Sequence, residues 1–118
     1  MPTKEEAEQF LRDLHAKMQV YEIRYRPRDK NLKSLLELDM SPNERREVIL
    51  GLTYKDCFSG PKKDTYMIPP MPDYFEFGKE IKGHTIYIKI NLGRQSKPID
   101  CMSFHIAERP IVYHLKNI

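Results

Sequence analysis

Apolar residues recur at helical spacing near the start of the chain and at every second position near its end. Ala7, Phe10, Leu11, Leu14 and Met18 form one stripe, and Thr3 followed by Glu6 is a capping box. An amphipathic helix of roughly four turns is predicted there, with one side on the core. Around Val20 the period changes to two. Tyr21, Ile23 and Tyr25 alternate with Glu22, Arg24 and Arg26 until Pro27. Residues 20–26 therefore read as a short strand at a sheet edge, where a proline is tolerated. Residues 31–38 carry Leu32, Leu35 and Leu36 and read as a short helix. Ser41, Pro42 and Glu44 form a strong helix start, followed by Val48, Ile49 and Leu52. Residues 53–56 suit one further short turn.

The second half is strand-rich. Residues 59–73 hold four prolines and a glycine and are predicted to be a loop. Residues 74–80 follow as a strand, and Lys82-Gly83 turns it into the next. In that next strand Ile86, Ile88, Ile90 and Leu92 face one way, and Thr85, Tyr87, Lys89 and Asn91 the other. After the turn at 93–98, Asp100, Met102, Phe104 and Ile106 alternate with Cys101, Ser103 and His105. Antiparallel pairing with Tyr87 near His105 sets Ile86, Ile88 and Ile90 across from Ile106, Phe104 and Met102. The order predicts an α+β fold, with N-terminal helices packed on one face of an antiparallel sheet. The other face stays partly open. A short extended tail, 111–115, follows the break at Glu108, Arg109 and Pro110.

At 118 residues, 1–118 fits a single domain. No apolar run approaches the roughly 20 residues of a membrane span. No signal-peptide core is visible near the start, so cytoplasmic residence is expected. Cys57 and Cys101 are far apart and in no metal or redox spacing, and are expected to be buried, reduced thiols. The net charge of +3 permits nucleic-acid binding without establishing it.

The candidate chemistry lies on the open face. His105 is a candidate general acid or base, since imidazole titrates near neutrality. Tyr87 and Lys89 beside it can bind a phosphate or stabilise charge developing on it. Each alone reads more readily as an ordinary strand residue facing water; the constellation is more informative than any member. Arg24 and Arg26 share a strand face and can carry a nucleic-acid backbone, or else protect an edge strand by charge. Lys62 and Lys63 in the loop, and Arg109 after the last strand, complete the RNA-binding candidates. There is no phosphate-binding glycine loop, zinc spacing or nucleophile elbow. No cofactor is expected. Side chains alone can cleave RNA: a base takes the 2′-OH proton, cations hold the phosphate and an acid protonates the departing oxygen. DNA lacks that hydroxyl.

Four stretches then carry a resemblance. Val48 to Asp56, Phe77 to Lys79, Ile86 to Ile90 and Cys101 to Pro110, in that order and spacing, resemble the MqsR-like toxins of type II toxin–antitoxin systems. The resemblance covers about 48–110. It implies a RelE-like fold, an mRNA endonuclease and an antitoxin partner, usually with a zinc-binding and a helix-turn-helix domain. By the same resemblance Tyr87 inherits the family's active-site tyrosine. His105 stands where the best-known members carry lysine. Ser59 is nearest to another family lysine, with Lys62 and Lys63 just beyond. The family's glutamine has no clear match, and Lys79 is the polar residue placed nearby. A three-residue turn through Ile81, Lys82 and Gly83 is expected to set Lys79 opposite Thr85, on the Tyr87 face; a two-residue turn would set it on the face of Ile86 instead. Two other readings stand beside this one: a non-catalytic RNA-binding regulatory module and a protein-interaction domain.

Overall fold

A computed structural model describes residues Met1–Ile118. Helix α1 spans Lys4–Lys17, strand β1 Ile23–Tyr25, α2 Asp29–Leu38 and α3 Pro42–Leu50. A single 3-10 turn, Tyr54–Asp56, leads into β2, Cys57–Lys62. Strands β3 (Tyr74–Ile81), β4 (His84–Asn91) and β5 (Ile99–Ile106) follow. The fold is α+β, and its one sheet has the order β1-β5-β4-β3-β2. All neighbours are antiparallel except β1, which joins the edge parallel to β5. No helix is long and apolar enough to cross a membrane.

The amphipathic stripe of α1 explains the core. Thr3 and Glu6 close the capping box. Ala7, Phe10, Leu11 and Leu14 are buried against the sheet face made by Phe75, Phe77, Ile86, Ile88 and Ile90. Phe10 stacks on Phe75 with ring centroids 4.4 Å apart. Helix α3 starts from its own capping box at Ser41 and adds Ile49 to this core. Helix α2 does something the hydrophobic pattern does not reveal. Pro27 follows the end of β1, so the edge of β5 beyond Cys101 has no strand partner. The side chains of Asn31 and Ser34 take that place. Phe104 N–H donates to Asn31 Oδ1 at 3.0 Å, and Ile106 N–H to Ser34 Oγ at 2.9 Å. Asn31 is 2 % exposed, a buried amide whose bonds stand in for a ladder.

Three local features decide which residues reach the open face. The first is the β3–β4 turn. Lys82 and Gly83 both have positive φ, 52° and 80°, the geometry of a two-residue hairpin loop. Ile81 therefore pairs with His84, and Lys79 with Ile86. The expected three-residue turn is not formed, and Lys79 lies on the face opposite Tyr87. Burying Phe75 and Phe77 across from Ile90 and Ile88 sets this register. Lys79 is tolerated at the rim because Asp56 Oδ2 lies 3.2 Å from its ammonium.

The second is a bulge in β5. Tyr87 pairs with His105, Ile88 with Phe104 and Lys89 with Ser103, as the alternation predicts. Ile90 then pairs with Cys101 rather than Met102. One extra residue in β5 inverts the faces beyond it. Cys101 turns into the core, and Asp100 shares the open face with Asn91. Met102 lies there as well, its sulfur 3.6 Å from Asn91 Nδ2.

The third is β2, which occupies part of the stretch expected to be a loop. Between Cys57 and Lys62 the strand shifts register twice against β3. Pro61 is accommodated because β2 is an edge strand with irregular pairing. Both thiols are buried and unpaired, and burial pushes Cys57 and Cys101 up to about 12.

Candidate active site

The open face carries a cleft of about 860 Å³. Its floor is Glu76 from β3, Tyr87 and Lys89 from β4, and Ser103 and His105 from β5. The start of α2 forms one wall, and the tail from Ala107 to His114 the other. The tail is held down at two places. Leu115 is buried in the core. Ile111 and Tyr113 lie across Gly78, where an added Cβ would come within 2.3 Å of the tyrosine hydroxyl. A strand glycine here marks the close approach of another segment.

His105 is only 8 % exposed. Its Nδ1 lies 2.9 Å from the carbonyl oxygen of Ile106. A carbonyl accepts only, so Nδ1 carries a proton. In the neutral ring Nε2 is then a free acceptor with no partner in the protein, the arrangement a general base requires. The Tyr87 ring packs against His105 with centroids 5.2 Å apart.

Tyr87 donates its hydroxyl to Glu76 Oε2. Burial, then the hydrogen bond and charge of Glu76, push the phenol well above its ordinary range. Tyr87 is therefore a proton holder at neutral pH rather than a base. Burial opposes the charge on Glu76. Hydrogen bonds from Tyr87, Lys62 and Ser59 outweigh it and hold the carboxyl below its usual range. Lys62 meets Glu76 Oε1 at 3.0 Å.

Lys89 is half-buried, and desolvation lowers the pKa of its ammonium. It rests 4.3 Å from the centre of the Tyr74 ring, a cation–π contact. Arg28, just before α2, points Nη1 toward Ser103 Oγ at 3.5 Å. Lys30 and Glu108 form an ion pair between α2 and the tail at 2.5 Å. Both side chains are well exposed, so the pair adds little stability.

His105, Tyr87 and Lys89 thus share one cleft, and Arg109 lines it too. Lys79 does not. Its register carries it to the other side of the sheet, so it leaves the candidate site. Arg24 and Arg26 line a separate depression next to β1. Arg26 is engaged there, with Nε 3.1 Å from Asp100 Oδ1 and Nη2 2.7 Å from Oδ2. Lys62 reaches Glu76, and Lys63 is exposed and lines neither cavity. Glu76 and Arg28 are the residues that periodicity missed. Glu76 becomes visible only once the two-residue turn sets it opposite Lys89. Arg28 lies beyond Pro27, outside any periodic run.

Comparison of the chain with models of known protein families, with curated proteins and with solved structures gives no match. Every residue role below accordingly rests on geometry and chemistry.

Proposed function

We propose that the protein is an endoribonuclease that cleaves single-stranded mRNA without a metal, acting as the toxin of a type II toxin–antitoxin pair in the cytoplasm. The observation that carries this reading is the convergence of His105, Lys89, Tyr87, Glu76 and Arg28 in one cleft on the open sheet face. The α+β architecture is compatible with a RelE-like fold, and the resemblance in the strand segments supplies the toxin and antitoxin half of the reading.

The chemistry follows from the arrangement. His105 Nε2 takes the proton of the ribose 2′-OH, and that oxygen forms a bond to phosphorus. The bond from phosphorus to the 5′-oxygen breaks, and Lys89 supplies the proton to the departing oxygen. The products are a 2′,3′-cyclic phosphate and a 5′-hydroxyl. Arg28 and Arg109, which both line the cleft, offset charge on the non-bridging oxygens. Tyr87, fixed by Glu76, holds the imidazole ring in place and donates rather than accepts. A lysine is an unusual acid, but desolvation makes this ammonium readier to give up its proton.

Two measurements test the reading. Induced expression should arrest growth, and co-expression of the antitoxin should restore it. Extracts should then contain RNA fragments ending in cyclic phosphate. Normal growth with abundant folded protein and intact RNA would sink the proposal. The second measurement is a pH–rate profile. Lys89 must be an ammonium to act as the acid, and its pKa is lowered. Activity should therefore fall on the alkaline side before the ordinary lysine range is reached. In Lys89→Arg that limb should move to higher pH, since the guanidinium stays protonated. An unmoved alkaline limb would exclude Lys89 as the proton donor.

A further inference from the structure

The depression beside β1 has a volume of about 610 Å³ and is separate from the cleft. Arg24, Arg94 and Lys97 line it, with Met67 and Met71 as the apolar part. Its fourth cation, Arg26, is already neutralised. It is bidentate to Asp100, and the buried carboxylate of Asp64 is a second ion-pair partner at 3.6 Å. The other three cations have no carboxylate within ion-pairing distance. Arg94 is held in place by donating Nη2 to the Pro69 carbonyl at 2.5 Å. Its Nε is buried and has no acceptor in the protein. A buried donor of that kind is costly unless something else satisfies it.

Strand β5 joins the two cavities. It contributes Asp100 to the depression, and Ser103 and His105 to the cleft. Asp100 joins Ser103 and His105 on the open face because of the bulge at Met102. At the rise of a strand, Asp100 and His105 are on the order of 15 Å apart.

We propose that this depression is a second subsite for single-stranded RNA, holding nucleotides that flank the one in the cleft. It rests on the endonuclease reading for its ligand class. Several unpaired cations spread over a surface suit a chain with one phosphate per nucleotide. The polarizable thioethers of Met67 and Met71 suit the face of a base. Arg26 is a positioning residue in this scheme. By taking up Asp100 it keeps a carboxylate from repelling the strand between the two cavities.

The test is RNA binding as a function of salt. The probe is an oligonucleotide of about 20 nucleotides, longer than a single domain's usual ~4–16 nucleotide footprint. It is methylated at every 2′-oxygen, so cleavage does not intervene. Arg24→Ala/Lys97→Ala removes two exposed cations, and a thermal melt confirms that the fold is kept. The slope of log K against log salt should become shallower by about 1.4, or ~0.7 per lost phosphate contact. Affinity at low salt should fall at least about tenfold. Lys33→Ala/Lys55→Ala, two exposed lysines elsewhere, should change neither quantity.

An unchanged slope in the first variant, or an equal change in the control, would overturn the subsite. So would an affinity for poly-glutamate that the first variant abolishes while RNA binding is untouched, since that result assigns the face to an acidic polypeptide. Wild-type protein that binds the oligonucleotide with the expected variant effect but never cleaves unmodified RNA would refute the endonuclease and keep the subsite. Cleavage by wild type together with unaltered binding by the first variant would do the reverse.

Discussion

His105→Ala should lower RNA cleavage by roughly 10²–10⁴-fold, the usual worth of a positioned general acid or base. The geometry makes this a sharp expectation. The Ile106 carbonyl holds the proton on Nδ1, so the lone pair on Nε2 is the one group in the ring able to accept another. The side chain faces away from Phe104, which suggests a substitution without structural cost. It is nevertheless buried and packed on Tyr87. A stability loss of about 1–2 kcal/mol is therefore expected, within the range of ordinary substitutions. His105→Gln controls for this. Its amide fills much of the same space but cannot transfer the proton, so activity should fall as far with a smaller loss of stability. RNA affinity should drop only modestly in either variant, because the cations lie on other side chains. His105→Lys should retain some activity with a pH optimum shifted upward, since a lysine must lose its proton to act as a base. A folded His105→Ala protein that cleaves at the wild-type rate would remove the imidazole from the mechanism and leave Lys89 and Glu76 as the candidates.

The open face could be read from the chain in part. Strict alternation through β4 set Tyr87 and Lys89 apart from Ile86, Ile88 and Ile90. The pairing of Tyr87 with His105 followed from matching two alternating strands. Beyond that point the pattern loses its power for definable reasons. Cys101 and Met102 are both apolar, so alternation alone cannot tell which faces the core. The bulge decides it, and with it the side on which Asp100 falls. In β3, Phe75 and Phe77 share a face with Lys79, and a lysine among phenylalanines argues for the wrong register. The rim position and Asp56 resolve that conflict in space, not in sequence. The same ambiguity of register hides Glu76, because it exchanges faces with Lys79 when the turn changes by one residue. Gly60 and Pro61 mask an edge strand that tolerates them. Buried Asn31 has no periodic signature at all, since it replaces a backbone partner rather than packing apolar surface.

The core beneath the site carries the largest expected effect on stability. Phe104→Ala should cost roughly 3–5 kcal/mol, as a full truncation of a buried aromatic. Phe104 is completely buried opposite Ile88, and its ring meets Tyr25 edge-on with centroids 6.5 Å apart. Tyr25 in turn lies under the guanidinium of Arg45, 3.4 Å from the ring centre. Deleting the phenyl group therefore loosens the contact between β1 and β5 as well as leaving a cavity. The backbone N–H of Phe104 still donates to Asn31 Oδ1, so the edge plug by α2 survives the change, and the loss should come from packing alone. Denaturant unfolding should show a lower midpoint with an unchanged slope, since the surface exposed on unfolding is nearly the same. Because His105 is the next residue on β5 and points to the other face, the variant should keep measurable cleavage at temperatures where it remains folded. A midpoint within error of wild type would mean that the space left by Phe104 is refilled by its neighbours, contrary to a core packed as this one is. Complete loss of cleavage in the folded variant would show instead that the cleft depends on the ring directly, and would contradict the separation of the two sheet faces on which the proposed mechanism depends.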